Sequence, residues 1–269
     1  MTYTLGFIGT GNMGSALARA AAKSEGKSRI FLSDHSGEKA AALATTLSAA
    51  LLSNEAIAEG CKFVILGVKP QMLKGVLETL SAPLSERPDT PILVSMAAGV
   101  TIAQIREYAG RDYPVIRIMP NTPVSVGEGL ILTAASENVT TEHLSAFKAC
   151  FSAAGRFDDV PEALFDAAGS LSGCGPAFAA MFMEALADGA VLCGVPRSKA
   201  LTHAAQMLLG TAKLYLESGE HPGAMKDAVC SPGGSTIAGV RALEEHGFRA
   251  AAISAVEASC KRTKELGKN

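Results

Sequence analysis

The sequence contains no tryptophan, and aromatic residues reach only 5%. Platforms that stack nucleic-acid bases need aromatic faces, so none is expected. Charge is scarce as well: 19% of the 269 residues are charged, a low share for a soluble globular chain. Its 24 basic and 26 acidic residues leave a formal net charge of −2. Nothing therefore draws the chain towards nucleic acid or an anionic membrane. The six cysteines are Cys61, Cys150, Cys174, Cys193, Cys230 and Cys260. They form no Cys-x-x-Cys pair and no zinc spacing with histidine, so no metal site is expected. Several lie in Ala- or Val-rich surroundings, which suits free thiols in a reducing compartment. The start, Met1-Thr2-Tyr3-Thr4-Leu5, shows no basic leader and no cleavage-like site. A cytoplasmic location is expected.

Apolar residues are plentiful, at 48%. A chain of this length can bury a core in one large domain or two ordinary ones. The low charge suggests that much surface is hidden, for instance against another subunit. Residues 175–193 are almost entirely apolar and long enough to span a bilayer. However, Glu184 and Asp188 would lie unpaired in lipid, so a helix covered by protein is expected instead.

The first half alternates short apolar runs with Ala-rich stretches. Strands are predicted at 5–8, 29–33, 63–68, 92–95 and 115–119, with helices at 12–23, 38–46, 70–81 and 102–108. This alternation reads as βαβ units and a mostly parallel sheet. Phe63-Val64-Ile65-Leu66 is continuously apolar, as in a strand covered by helices on both faces. A strand at 129–133 and a helix at 142–152 follow, and 155–161 reads as a domain junction. Beyond Pro161 no strand is expected. Helices are predicted at 162–168, 175–193, 199–217, 221–229, 236–246 and 248–266. The expected fold is an α/β Rossmann-type domain over 1–160 and an all-α domain over 161–269.

Gly9-Thr10-Gly11-Asn12-Met13-Gly14 matches G-x-G-x-x-G after a strand and before a helix. Gly9 permits the tight turn, Gly11 lets a pyrophosphate approach, and Gly14 lets helix and strand pack closely. The helix N-terminus offers free N–H groups to phosphate. The second strand ends at Ser33-Asp34-His35-Ser36. Asp34 could accept from a ribose 2′-OH, favouring NAD. His35 and Ser36 could meet a 2′-phosphate, favouring NADP. Turn and cap roles stand equally open for Asp34 and Ser36.

Val68-Lys69-Pro70 and Met119-Pro120-Asn121-Thr122-Pro123 follow strands in the same way, on the ligand edge of such a sheet. Lys69 and Asn121 are candidate cofactor contacts, with a solvated lysine and a rigid turn as the plainer readings. Leu171-Ser172-Gly173-Cys174-Gly175-Pro176 reads as a glycine-rich turn, with Pro176 opening the apolar helix. Ser231-Pro232-Gly233-Gly234-Ser235-Thr236 joins two helices. Its glycines, hydroxyls and helix N–H groups suit a carboxylate, although a capped turn favours the same residues. The five scattered histidines fit no nucleophile motif.

In this order the five motifs resemble the pyrroline-5-carboxylate reductases over essentially the whole chain. The closing run Val256-Glu257-Ala258-Ser259-Cys260, with Arg262 and Thr263, is similar too. The resemblance implies reduction of 1-pyrroline-5-carboxylate to L-proline, the last step of proline biosynthesis, with NADP as cofactor and NAD possible. It implies that Ser231, Gly233, Gly234, Ser235 and Thr236 hold the substrate, with Thr236 reaching the ring nitrogen. It implies a cofactor site of Gly9, Gly11, Asn12, Met13, Gly14, Asp34, His35, Asn54, Val68, Lys69, Pro70 and Asn121. It also implies a homodimer or larger homo-oligomer joined through the C-terminal helices. The chain departs from the family at Cys174, usually Ser, and Phe178, usually Tyr. Asp34-His35 stands where the family often has Asn-Arg, which weakens the NADP expectation. Two other readings fit the layout. One is a hydroxyacid dehydrogenase, but residues 175–193 lack the basic catalytic side chain it needs. The other is a non-catalytic NAD(P)-binding sensor.

Overall fold

The computed structural model describes residues 3–24 and 28–266. Contacts divide the chain into two units. The first holds the described residues up to Cys174 and those from Ser259 onwards, and the second is Gly175–Ala258.

The first unit runs β1 (Tyr3–Ile8), α1 (Asn12–Lys23), β2 (Ser28–Ser33), α2 (Gly37–Leu47), β3 (Ala50–Leu51) and α3 (Asn54–Gly60). It continues through β4 (Phe63–Leu66), α4 (Pro70–Glu86), β5 (Ile92–Ser95), α5 (Ile102–Ala109) and β6 (Val115–Met119). Then come β7 (Gly129–Ala135), α6 (Thr141–Cys150), β8 (Gly155–Asp159) and the start of α7 (Glu162–Leu192). The eight strands lie in the order β3-β2-β1-β4-β5-β6-β7-β8. Strands β1 to β6 are parallel; β7 pairs antiparallel to β6 and parallel to β8. This is an α/β Rossmann-type sheet. Its connections change direction between β1 and β4, whose carboxyl ends therefore flank the crevice where such folds bind ligands.

Burial follows the sequence pattern. All four β4 side chains are fully buried: Phe63 and Ile65 join the core on one face, Val64 and Leu66 that on the other. Helix α4 lays Leu73, Leu77, Leu80 and Leu84 on the second face. Each contributes about 1.5–3 kcal/mol by leaving water. That stripe carries the helix through Pro83 to Glu86, beyond the end expected at residue 81. Thr101 and Gln104 close a capping box at the start of α5.

The structure corrects three expectations. Residues 155–159 are not a junction but strand β8, paired with β7 from Gly129↔Gly155 to Thr133↔Asp159. Its exposed Arg156, Asp158 and Asp159 hid an edge strand, half of which faces water. Strand β3 and helix α3 were too short for periodicity to find. Residues 171–176 form no turn, because α7 runs unbroken from Glu162 to Leu192 with Pro176 inside it.

The second unit holds the remainder of α7, α8 (Arg197–Ser218), α9 (Pro222–Ala228), α10 (Ser235–Glu245) and α11 (Phe248–Leu266) up to Ala258. Among the described residues of this unit, the apolar side chains that are buried are alanines: Ala187, Ala200 and Ala204. Met181, Leu192 and Leu216 are 69%, 89% and 64% exposed. The cover expected for residues 175–193 is thus not supplied by the chain itself.

Candidate active site

The glycine loop grows out of β1. Gly9 has φ of +97°, a conformation side chains rarely adopt, and its N–H donates to Ser33 O at 2.8 Å. Gly67 N–H donates to Ile8 O at 2.8 Å, so the ends of β1, β2 and β4 are tied together. A Cβ at Gly9 would come within 2.8 Å of the Gly67 carbonyl, and one at Gly14 within 2.4 Å of Gly9 O. A Cβ at Gly11, in contrast, would meet nothing within 4 Å. Its open side is where a phosphate could approach. Helix α1 begins there with no side-chain cap and no acidic residue in its first turn. Asn12, Met13 and Gly14 form that turn, so their N–H groups point outward as anion donors. The loop therefore fits the pyrophosphate of a dinucleotide. A groove of about 530 Å³ opens beside it, carrying Arg19 and Lys39.

At the end of β2, the Asp34 carboxylate turns inward. It accepts from Thr10 N–H at 2.6 Å, the Thr10 hydroxyl at 2.9 Å and Ser36 N–H at 2.8 Å. Burial pushes its pKa up, but the N–H groups of Ser36 and Thr10, the Thr10 hydroxyl and His35 outweigh this and hold it below the ordinary value. His35 lies 3.1 Å away through Nδ1, with its side chain almost wholly exposed. Asn54 opens α3, after Ser53 has capped it by accepting from Ala56 N–H. Val68, Lys69 and Pro70 leave β4 together: exposed Lys69 is the N-cap of α4, and Pro70 is its first residue.

Residues 119–123 leave β6 into a short 3₁₀ turn, Thr122–Val126. Asn121 Oδ1 accepts from Leu130 N–H at 2.9 Å, and its Nδ2 donates to Ser172 O at 3.1 Å. The second bond explains Pro176. Proline has no N–H, so the carbonyl four residues earlier loses its helical donor. That carbonyl belongs to Ser172, and Asn121 replaces the donor. The amide of Asn121 thus joins two separate motifs.

Two further features fix this stretch of α7. Met119 packs on Gly169 and Gly173, where a Cβ would lie 3.3 and 3.9 Å from its side chain. Arg117, 2% exposed, donates to Glu162 at 3.0 Å and Asp166 at 2.9 Å and stands 4.4 Å over the Phe165 ring. Glu162 also accepts from Ile102 N–H at 2.7 Å. A buried guanidinium needs such partners. The Ser172 hydroxyl is buried without a partner in this region.

In the second unit, residues 231–236 form a turn closed by Gly234 N–H donating to Ser231 O at 3.0 Å. Gly233 has φ of +69° and open space where a Cβ would stand. Helix α10 starts at Ser235 with no side-chain cap, and Ser231, Ser235 and Thr236 are exposed. Free N–H groups, three hydroxyls and no acid in the first turn are chemically suited to a carboxylate. Thiol chemistry is not favoured at Cys61, whose pKa burial pushes up to about 11, with Arg87 opposing weakly. No group of three or more metal-ligating side chains occurs among the described residues.

Known proteins place this architecture. Residues 162–266 match the family described as pyrroline-5-carboxylate reductase dimerisation, and residues 4–99 match NADP oxidoreductase coenzyme F420-dependent. A pyrroline-5-carboxylate reductase of Synechocystis sp. is 43% identical over 271 residues, covering 100% of both chains. That of Escherichia coli is 39% identical over 272 residues, again covering 100% of both. The chain belongs to the pyrroline-5-carboxylate reductase family. Solved family members have the same fold: one from Coxiella burnetii superposes with a TM-score of 0.89 at 30% identity over 100% of both chains. A pyrroline carboxylate reductase of Plasmodium falciparum, solved with NADP bound, gives 0.88 at 30% identity over 98% of both.

Within this reductase fold, the first unit brings Gly9–Gly14, Asp34, His35, Asn54, Val68–Pro70 and Asn121 to the ends of β1, β2, β3, β4 and β6. The substrate-loop candidates lie together in the second unit. Thr10, Arg117 and Ser172 carry contacts that the motifs did not reveal. The only sequence signal for Arg117 was a charge inside an otherwise apolar strand.

Proposed function

We propose that this chain reduces 1-pyrroline-5-carboxylate to L-proline with NAD(P)H, closing proline biosynthesis. The observation that carries this reading is the pairing of an open glycine cradle with an uncapped Ser/Gly/Thr turn in one chain. Gly9, Gly11, Asn12, Met13 and Gly14 hold the pyrophosphate. Asp34, His35 and Asn54 lie towards the adenosine side; Val68, Lys69, Pro70 and Asn121 lie towards the nicotinamide. NADP is the expected cofactor, with NAD also accepted. When bound, the reduced nicotinamide supplies the hydride.

The chain's own residues bind and orient. The N–H groups around Gly233, Gly234 and Ser235, with the Ser231 hydroxyl, seat the substrate carboxylate. The Thr236 hydroxyl meets the ring nitrogen and keeps the C=N bond in one orientation while the nitrogen gains its proton. A protonated imine accepts hydride readily, so orientation to about 3–3.5 Å between reacting atoms does most of the catalytic task. We place the working boundary near residue 160, with 1–160 for the dinucleotide and 161–269 for substrate and dimerisation. The match to the dimerisation family from residue 162 supports this.

The second unit's bare apolar surface supports a homodimer or larger ring. An apolar groove of about 620 Å³ between α8 and α9 is part of it. Helix α7 is long and apolar enough to cross a membrane by length and composition. Glu184 and Asp188 favour a helix covered by a second copy, in a cytoplasmic enzyme with no nucleic-acid or membrane partner.

Removing the Thr236 hydroxyl tests the assignment. Thr236→Ala should lower kcat/KM for pyrroline-5-carboxylate by roughly tenfold to a hundredfold, the loss of one bond strengthened in the transition state. L-Proline should protect the protein from heat only when cofactor is present. Unchanged kcat/KM in Thr236→Ala would overturn the role of Thr236.

A further inference from the structure

In dinucleotide-binding folds, the acid ending the second strand commonly accepts from the ribose 2′-OH. Asp34 occupies that place, but its oxygens already accept three hydrogen bonds from the protein. A carboxylate offers about four acceptor positions. Oδ2 accepts from Thr10 N–H at 2.6 Å and the Thr10 hydroxyl at 2.9 Å. Oδ1 accepts from Ser36 N–H at 2.8 Å and lies 3.1 Å from His35 Nδ1. The side chain is only 7% exposed, against 91% for His35. Three of the four positions are filled by the protein and the fourth faces His35, so a ribose hydroxyl would compete with bonds already made.

The donors reveal a different task. Thr10 is the second residue of the glycine loop and is itself buried. Its N–H and hydroxyl both end on Asp34, so the carboxylate pins the loop to the turn after β2. Gly9 N–H donating to Ser33 O makes the neighbouring tie. The backbone that would cradle a pyrophosphate is held from behind by Asp34.

We propose that Asp34 is a positioning residue that clasps the glycine loop in its phosphate-binding shape. The choice between NADH and NADPH then falls to its neighbours, the exposed His35 and the half-buried Ser36. This rests on reading the glycine loop as the NAD(P)H cradle.

The two roles predict opposite outcomes for Asp34→Asn, which keeps the shape but replaces one acceptor oxygen with a donor. As a clasp, its loss weakens a loop that serves both cofactors. Dissociation constants for NADPH and NADH, titrated separately on the full chain without substrate, should rise together by about tenfold. Their ratio should stay within about twofold of wild type. In turnover the rise should appear in the cofactor KM, with kcat and the substrate KM kept. Thr10→Val removes only the hydroxyl; it should weaken both cofactors by a smaller common factor. The double variant should lose less than the product of the two single losses.

Weaker NADH with tighter NADPH in Asp34→Asn would show that the carboxylate reads the ribose and overturn the proposal. Unchanged affinity for both would overturn it as well. Should Asp34→Asn not fold, Thr10→Val decides by the same ratio. Wild-type protein that binds neither cofactor would defeat the cradle reading itself, and that control separates the two failures.

Discussion

The two units spend their apolar residues differently. The first closes its core within one chain: β4 is fully buried on both faces, and Leu73, Leu77, Leu80 and Leu84 disappear beneath α4. The second buries only alanines among its described apolar residues and leaves Met181, Leu192, Leu209, Leu214 and Leu216 largely bare. A sheet flanked by helices can satisfy its own surfaces, whereas these helices present apolar area that only another surface can cover. The difference teaches where self-sufficiency ends. The first unit's stability should belong to the chain, and the second unit's to the assembly.

The strongest way to break this contrast is to charge the bare face. Leu209 and Leu216 lie seven residues apart on α8, on one side of the helix. Leu209→Asp with Leu216→Asp should reduce the particle to a monomer in light scattering. Activity should fall by about a hundredfold or more, since a few buried anchors dominate such interfaces. An unchanged mass would refute the assignment of that face.

Within the first unit, Arg117→Met strips Glu162 and Asp166 of their buried partner. A cost of about 3–5 kcal/mol is expected in denaturant melts. Leu77→Ala should cost about 2–5 kcal/mol through its cavity. Unlike the interface variant, it should cost the same at every protein concentration.

Asn121→Ala should cost less, about 1–3 kcal/mol, by leaving Ser172 O without a donor. Pro176→Ala restores an N–H to that position in the helix. The double variant should therefore recover part of the loss, and strict additivity in the cycle would contradict the shared bond.

Acid supplies the smallest effect. The folded pKa of Asp34 lies below the ordinary value of 3.8, so its stabilisation is present above that value. It is lost as pH falls through the lower folded pKa. Asp34→Asn should flatten the acid limb of the stability curve and leave the neutral limb parallel to wild type.

Much of this was legible in the residues. The continuous run Phe63–Leu66 read as a doubly covered strand, and Gly9, Gly11 and Gly14 each had a distinct steric reason. The second unit's helices were legible as helices, but not what covers them, because an apolar face reads the same whether its cover lies in the same chain or outside it. Strand β8 escaped because edge strands tolerate charges such as Arg156 and Asp158. Helix α7 was read as broken at Pro176 because local rules see the missing N–H but not the distant amide of Asn121 that replaces it. Asp34 shows the same limit: its place after the second strand left a ribose contact and a turn role equally open, and the bonds from Thr10, 24 residues earlier, were not legible.

The most direct test is turnover. Purified protein is mixed with 1-pyrroline-5-carboxylate and either NADPH or NADH, and the near-ultraviolet absorbance of the reduced nicotinamide is followed while L-proline is measured. Oxidation of either cofactor with one proline formed per cofactor consumed is the predicted result. Protein that binds cofactor yet oxidises neither would contradict the account.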